Sequence, residues 1–352
     1  MKLADQHTPP PFAHARRHLG ATALASGALV AAVTLAVTGC ASGAGADASL
    51  ALAGATGRMG LSSSMAGNYQ VLTLNDAHDE TFNQLLGIND QGVVVGYFGS
   101  GAAGHPNKGY KLIPPFAQHS FLNENFPGAK QTQVTGLNDT GVTVGFWSKQ
   151  NTASMTDNNF GFYQLNGRFH NVNFPIGDSA NPPVDQLLGV NNKGMAVGFF
   201  TNSAGLSRGY EYNVWTHRFS RVEIPGRGLG PSLTAAAINN HGDVAGFYNK
   251  TASQVDAFLK LHSGKFLTLA YPAASMTQAF GVNDSDEVVG TYTTGTGNAA
   301  VTHGFTWRDG KYASVNISGA SSTAINGVND EGDLVGFFTD AKGNTDGLLA
   351  LP

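Results

Sequence analysis

Residues 87 to 98 read Gly87-Ile88-Asn89-Asp90-Gln91-Gly92-Val93-Val94-Val95-Gly96-Tyr97-Phe98, and the phrase returns five times along the 352-residue chain. The later copies are GLNDTGVTVGFW from Gly136, GVNNKGMAVGFF from Gly189, AINNHGDVAGFY from Ala237, GVNDSDEVVGTY from Gly281 and GVNDEGDLVGFF from Gly327. Their asparagines, Asn89, Asn138, Asn191, Asn239, Asn283 and Asn329, are 44 to 53 residues apart, the size of one unit of a repeat array. This period predicts an architecture and leaves the activity open.

The phrase carries turn chemistry. Asn followed by Asp or Asn, with Gly three residues on, suits a tight hairpin, because the Asn side chain bonds the backbone ahead of it and Gly accepts a positive φ. Asp286 is the one replacement for that Gly, and Asp tolerates the left-handed region better than most residues. Strands are expected on both sides of the turn. A third strand opens on steps such as Gly109-Tyr110, Gly161-Phe162, Gly209-Tyr210 and Ala257-Phe258. The fourth opens on an aromatic, as in Phe121 to Pro127 and Phe169 to Pro175.

Six units supply only five such fourth strands. The chain ends after three strands of the sixth unit, whereas residues Tyr69 to Leu74 form an orphan patterned like a fourth. The expected fold is therefore all-β: a six-bladed β-propeller of four-stranded antiparallel blades over residues 68–352, closed by the N-terminal strand completing the C-terminal blade. An open solenoid is the competing arrangement, and it would need polar capping repeats instead of a split one. Small residues at 87, 136, 189, 237, 281 and 327 favour the ring, since wedge-shaped sheets crowd near an axis.

The repeats resemble bacterial extracellular HAF-type repeats, through the G-hydrophobic-N-D-x-G-x-x-V-G phrase and the third-strand steps Thr302-His303-Gly304-Phe305 and Asp256-Ala257-Phe258. The resemblance covers roughly residues 69 to 352 and implies a secreted or surface β-repeat protein. It implies no reaction.

Residues 1–39 read as an export signal, with Arg16 and Arg17 ahead of the uncharged stretch Ala21 to Thr38. The end of that stretch, Val37-Thr38-Gly39-Cys40, resembles the lipobox of a bacterial lipoprotein, which implies cleavage before Cys40 and lipid attachment to it. A membrane-spanning helix is the other reading of these 18 uncharged residues. Cys40 is the only cysteine, so no intramolecular disulfide can form. Lipidation gives the lone thiol a purpose. Ala41 and Ser42 after it imply the outer membrane, and residues 40–67, rich in Ala, Gly and Ser, read as a tether. Export to the outer membrane or cell surface, with the membrane as partner, is the expectation.

Without residues 1–39 the chain has 17 Lys and Arg against 23 Asp and Glu, an acidic balance that argues against nucleic acid as a partner. A monomer is expected. His-Glu-x-x-His and Ser-x-x-Lys are both absent. Gly99-Ser100-Gly101-Ala102-Ala103-Gly104 matches a dinucleotide fingerprint by letter, but Pro106 and Gly109 exclude the helix that must follow it. No cofactor or catalytic residue is assigned. The Asn-Asp pairs offer oxygen donors for calcium, yet Asn192 and Asn240 replace the acid in two copies and turn geometry already explains the pairs.

Function is expected on the connecting loops. Asp76, His78, Asp79 and Glu80 concentrate three acids and an imidazole, and residues 149–159 and 178–185 are long connections. Gln84, Gln133, Gln186 and Gln278 each stand five residues before a repeat Asn; they either present amides to a polar ligand or satisfy local backbone groups. Two functions follow. The favoured one is a lipid-tethered, non-enzymatic module binding protein, glycan or matrix. The alternative is an extracellular hydrolase or lyase acting on carbohydrate or ester, with its site at the channel mouth and Asp76, His78, Asp79 and Glu80 as acid, base or metal groups.

Overall fold

The computed structural model of the chain describes residues 60–61, 69–150, 158–175, 180, 183–226 and 230–352. The signal segment, Cys40, most of the tether and parts of the two long connections lie outside the described residues. Those that are described build an all-β structure of four-stranded antiparallel sheets.

Unit 1 contains Asn83–Ile88, Val94–Phe98, Lys108–Leu112 and Phe121–Asn123. Unit 2 contains Gln131–Leu137, Thr143–Ser148, Phe160–Leu165 and Arg168–Val172. Units 3, 4 and 5 repeat the order, their first strands being Asp185–Val190, Leu233–Ile238 and Met276–Val282. Unit 6 has Ser322–Val328, Leu334–Thr339 and Thr345–Leu351, and its fourth strand is Gln70–Thr73 from the other end of the chain. The pairing there is antiparallel, with Gln70 opposite Leu351 and Thr73 opposite Leu348. Gly60–Leu61 adds a short fifth strand against Leu72 and Thr73.

The core lies between units. Val94, Tyr110 and Leu112 of unit 1 pack on Val335 and Leu349 of unit 6, while Val95 on the opposite face packs on Val134 and Phe162 of unit 2. Such alternation follows from the two-residue period of a strand, and each fully buried aliphatic or aromatic side chain contributes roughly 1.5–3 kcal/mol.

A bulge interrupts the first pair of strands in every unit. The register shifts between Leu85 and Gly87, and at the equivalent places in units 2 to 6. The extra residue is Leu86, Thr135, Leu188, Ala236, Phe280 or Asn326, and a bulge re-aims the side chain it carries. Its geometry also explains the last glycine of the phrase. A Cβ built on Gly96, Gly145, Gly198, Gly246, Gly290 or Gly336 would fall 1.9 to 2.1 Å from a carbonyl oxygen on the first strand.

The repeat asparagines link neighbouring units. Within its turn each Oδ1 accepts the backbone N–H four residues on, and in the first five units also the one two residues on, as Asn89 does from Val93 and Gln91. Each Nδ2 donates to the carbonyl of the next repeat asparagine: Asn89 to Asn138, then to Asn191, Asn239, Asn283 and Asn329 in turn. Asn329 donates to Asn89. A second series runs alongside, in which the N–H of Asp90, Asp139, Asn192, Asn240, Asp284 and Asp330 donates to the side chain of the next member, and Asp330 returns to Asp90.

Candidate functional site

Antiparallel alternation puts the Asn turns and the third-to-fourth-strand turns at one end of every sheet. The second-to-third-strand loops and the links between units leave from the other end. That second end carries the candidate site, where the link 74–82 meets the loop 99–107.

The link is stitched to both neighbours. Asn75 donates Nδ2 to Asp346 Oδ1 at 2.7 Å and accepts from Gly347 N at 2.9 Å in unit 6. Asn83 of unit 1 clasps the turn, its Oδ1 accepting from Asp76 N at 2.9 Å and its Nδ2 donating to Asp79 O at 2.7 Å. A side-chain oxygen at this strand position holds the preceding link in four other units: Thr132, Asp185, Thr277 and Thr323 accept from Phe126, Phe174, Tyr271 and Ile317. Unit 4 has Leu233 there instead.

Two imidazole–carboxylate pairs result. His78 Nδ1 lies 2.6 Å from Asp76 Oδ1, and its ring stacks on Phe98 at 5.6 Å. His105 Nδ1 lies 2.7 Å from Asp79 Oδ2. Both carboxylates are buried, each with a side-chain exposure of 7%, whereas the imidazoles are 80% and 55% exposed. Burial works against ionisation of Asp79, but hydrogen bonds from Thr81 and His105 outweigh it and hold the carboxyl below its ordinary range. A carboxylate on Nδ1 favours the tautomer protonated there, which leaves the Nε2 lone pair toward solvent. Such an imidazole is an oriented base.

Of the residues expected here, Asp76, His78 and Asp79 come together, and Glu80 is exposed and joins neither pair. Sequence reasoning missed His105. It ends the glycine-rich stretch that imitates a dinucleotide fingerprint; Gly99, Gly101 and Gly104 adopt φ of 89°, 78° and 85°, turning the loop back so that the imidazole reaches Asp79.

A central pocket open to solvent is lined by equivalent residues of all six units, among them the bulged Leu86, Thr135, Leu188, Ala236, Phe280 and Asn326. The four glutamines are buried and absent from its lining. Gln84 Oε1 accepts from Tyr97 OH at 2.8 Å, and Gln133 Nε2 donates to Asn107 Oδ1 at 3.0 Å.

At the opposite end, the side-chain oxygens of the Asn-Asp pairs are engaged by backbone N–H groups of their own and neighbouring turns, the competing demand on any calcium site there. Burial first, then repulsion from Asp139, Asp330 and Glu331, pushes the Asp90 carboxyl up to about 6. Among the described residues no group of three or more His, Cys, Asp or Glu is arranged to hold a metal ion, and no helix is long and apolar enough to cross a membrane.

No protein-family model and no curated protein matches this chain. Similar solved structures include a polysaccharide lyase of family PL25, an ulvan lyase bound to a GlcA–Rha3S repeat, with 12% identity, 78% of this chain and 79% of that one covered, and a TM-score of 0.42. The sialidase of Trypanosoma rangeli is 8% identical over 78% of this chain and 54% of its own, at 0.46. The Aleuria aurantia lectin, in complex with Fucα1-6GlcNAc, is 10% identical over 77% and 96%, at 0.44. Likeness at this level carries no argument about substrate or reaction. The expectation of a non-enzymatic module is nonetheless corrected, and enzymes as well as a lectin are among the structures this chain resembles. The physical reason for the correction lies in the chain itself, in the two oriented imidazoles of unit 1.

Proposed function

We propose that this chain is an exported hydrolase or lyase acting on extracellular carbohydrate or ester, with its reacting groups at the corner formed by the link 74–82 and the loop 99–107. The observation that carries the reading is the His105–Asp79 pair. A buried carboxylate, kept ionised by Thr81, holds an exposed imidazole by Nδ1, and Nε2 takes a proton from an attacking water or from a sugar carbon beside a carboxylate. His78 on Asp76 supplies a second imidazole, which when protonated donates its own Nε2 proton to the leaving oxygen.

In this reading the six units form a closed six-bladed propeller. The hydrogen bonds from Asn329 to Asn89 and the pairing of Gln70–Thr73 with Thr345–Leu351 support closure. The repeats are of HAF type, residues 1–39 are removed on export, and Cys40 carries the lipid that tethers the protein to the outer membrane. A glycan is the favoured ligand.

The test is turnover by the purified full-length protein on neutral and uronate-containing polysaccharides and on aryl esters. Reducing ends, unsaturated sugar ends and released phenol would be followed. Turnover that falls in His105→Ala is expected. No product above a protein-free control on any substrate class contradicts the proposal.

A further inference from the structure

The end of the molecule away from the His–carboxylate corner carries a second feature that the proposed chemistry does not use. Trp215 is 52% exposed, the only aromatic among the exposed large hydrophobic side chains of the described residues. It lies in the turn between the third and fourth strands of unit 3, Ser207–Asn213 and Arg218–Arg221.

Its exposure is not looseness. Asn213 Oδ1 accepts from the N–H of Trp215 at 3.0 Å and of Thr216 at 2.8 Å, and the indole Nε1 donates to Lys193 O at 3.1 Å. The pyrrole part of the ring rests on Gly194, where an added Cβ would fall 2.2 Å from Nε1 and 2.7 Å from Cε2. The ring is thus pinned at its one polar atom and on one side, with the rest of the indole left to water.

Covering the turn glycine does not itself require Trp. In unit 1 the same glycine, Gly92, is approached by Pro114 Cγ at 3.6 Å, in unit 4 Gly242 by His262 Nδ1 at 3.1 Å, and in unit 6 Gly332 by Pro352 Cγ at 3.8 Å. A proline ring or an imidazole does that work. The indole of unit 3 therefore presents apolar surface beyond what the turn needs, next to the exposed Lys193, Thr216 and His217, which carry donors and acceptors for hydroxyl groups.

We propose that Trp215 is a stacking platform for the flat C–H face of a pyranose ring, a non-catalytic sugar-binding site at the opposite end of the molecule from the His–carboxylate corner. A rigid aromatic with its N–H already satisfied offers its face at small entropic cost, and Lys193, Thr216 and His217 bond the sugar hydroxyls. The identity of the ligand rests on the carbohydrate reading above; the site does not depend on the chemistry at unit 1.

Calorimetric titration of the full-length protein with cellohexaose, chitohexaose, xylohexaose and a galacturonate oligomer tests it, in the His105→Ala background so that binding is read without turnover. At least one oligosaccharide should bind saturably at millimolar concentration. Trp215→Ala should weaken that binding by about tenfold or more, and Trp215→Phe, which keeps a ring, by much less, with melting temperatures unchanged. Equal binding by Trp215→Ala, or binding of none of the four by the parent, overturns the proposal. Turnover lost in His105→Ala with no Trp215-dependent binding would defeat this inference alone; binding without turnover in the parent would defeat the proposed function alone.

Discussion

The side-chain amide of Asn329 in the last unit donates to the backbone carbonyl of Asn89 in the first, 240 residues away, at 3.3 Å. The same bond joins each repeat asparagine to the next, so one residue type serves the turn with its oxygen and the neighbouring unit with its nitrogen. Replacement by Ala removes both and strands buried N–H and C=O groups. Asn191→Ala is expected to lose about 2–4 kcal/mol in denaturant unfolding. A loss below about 0.5 kcal/mol, the scale of an ordinary surface change, would argue that water replaces the amide without cost.

The last glycine of the phrase gives a sharper contrast. A Cβ on Gly198 would sit 2.0 Å from Gln186 O, inside the backbone of the bulge, whereas Gly128, at φ 78°, has nothing within 4 Å of the added atom. Gly198→Ala is expected to unfold the protein or cost more than about 3 kcal/mol, and Gly128→Ala about 1 kcal/mol from backbone strain alone. Similar melting temperatures for the two variants would contradict the bulge geometry.

Asp185 should make stability depend on pH. Burial pushes its carboxyl up to about 7, against the hydrogen bonds that Tyr210 OH and Phe174 N–H donate to it. With the folded value above the ordinary 3.8, the folded state holds a proton that the unfolded chain has released. The associated stability is complete below about pH 4 and is lost as pH rises through 7. Relative to Asp185→Asn, the wild type should therefore lose stability, on the order of a few kcal/mol, between pH 4 and 7.5. Parallel pH profiles for the two proteins would show that the carboxyl does not titrate there.

At the corner of unit 1, Asp79→Asn keeps a hydrogen-bond acceptor for Thr81 but removes the charge that orients His105. Turnover is expected to fall by about 10²–10⁴-fold in His105→Ala and substantially in Asp79→Asn, with melting temperatures near the parent value. Glu80→Gln should leave turnover unchanged, since Glu80 joins neither pair. Equal rates for all three variants would remove the corner from the chemistry.

The strand positions, the turns and the completing N-terminal strand were legible because each depends on local pattern repeated six times. Asn89 could be read as a turn residue from its neighbours alone. Its bond to Asn138 could not, because that bond joins turns 49 residues apart. The role of Gly96 was hidden for the same reason: its constraint comes from Gln84 O across a bulge, and alternation in sequence does not reveal an extra residue. Asp76, His78 and Asp79 stood out as a cluster along the chain. His105 did not, lying 26 residues from Asp79 in a glycine-rich loop that resembles something else.

The link that carries Asp76 and Asp79 begins where Gln70–Thr73 ends, and Thr345 N of unit 6 donates to Thr81 O at its far side. Completion of the sixth sheet by the first strand therefore also positions the corner. The most direct test is the pairing of Val71 with Ala350, which are opposite one another in the register. In a Cys40→Ser background, Val71→Cys together with Ala350→Cys should oxidise to an intramolecular disulfide and raise the melting temperature, because the two Cα atoms of a paired position lie within bridging distance. Thiols that stay reduced under oxidising conditions, or that cross-link only between molecules, would contradict the account.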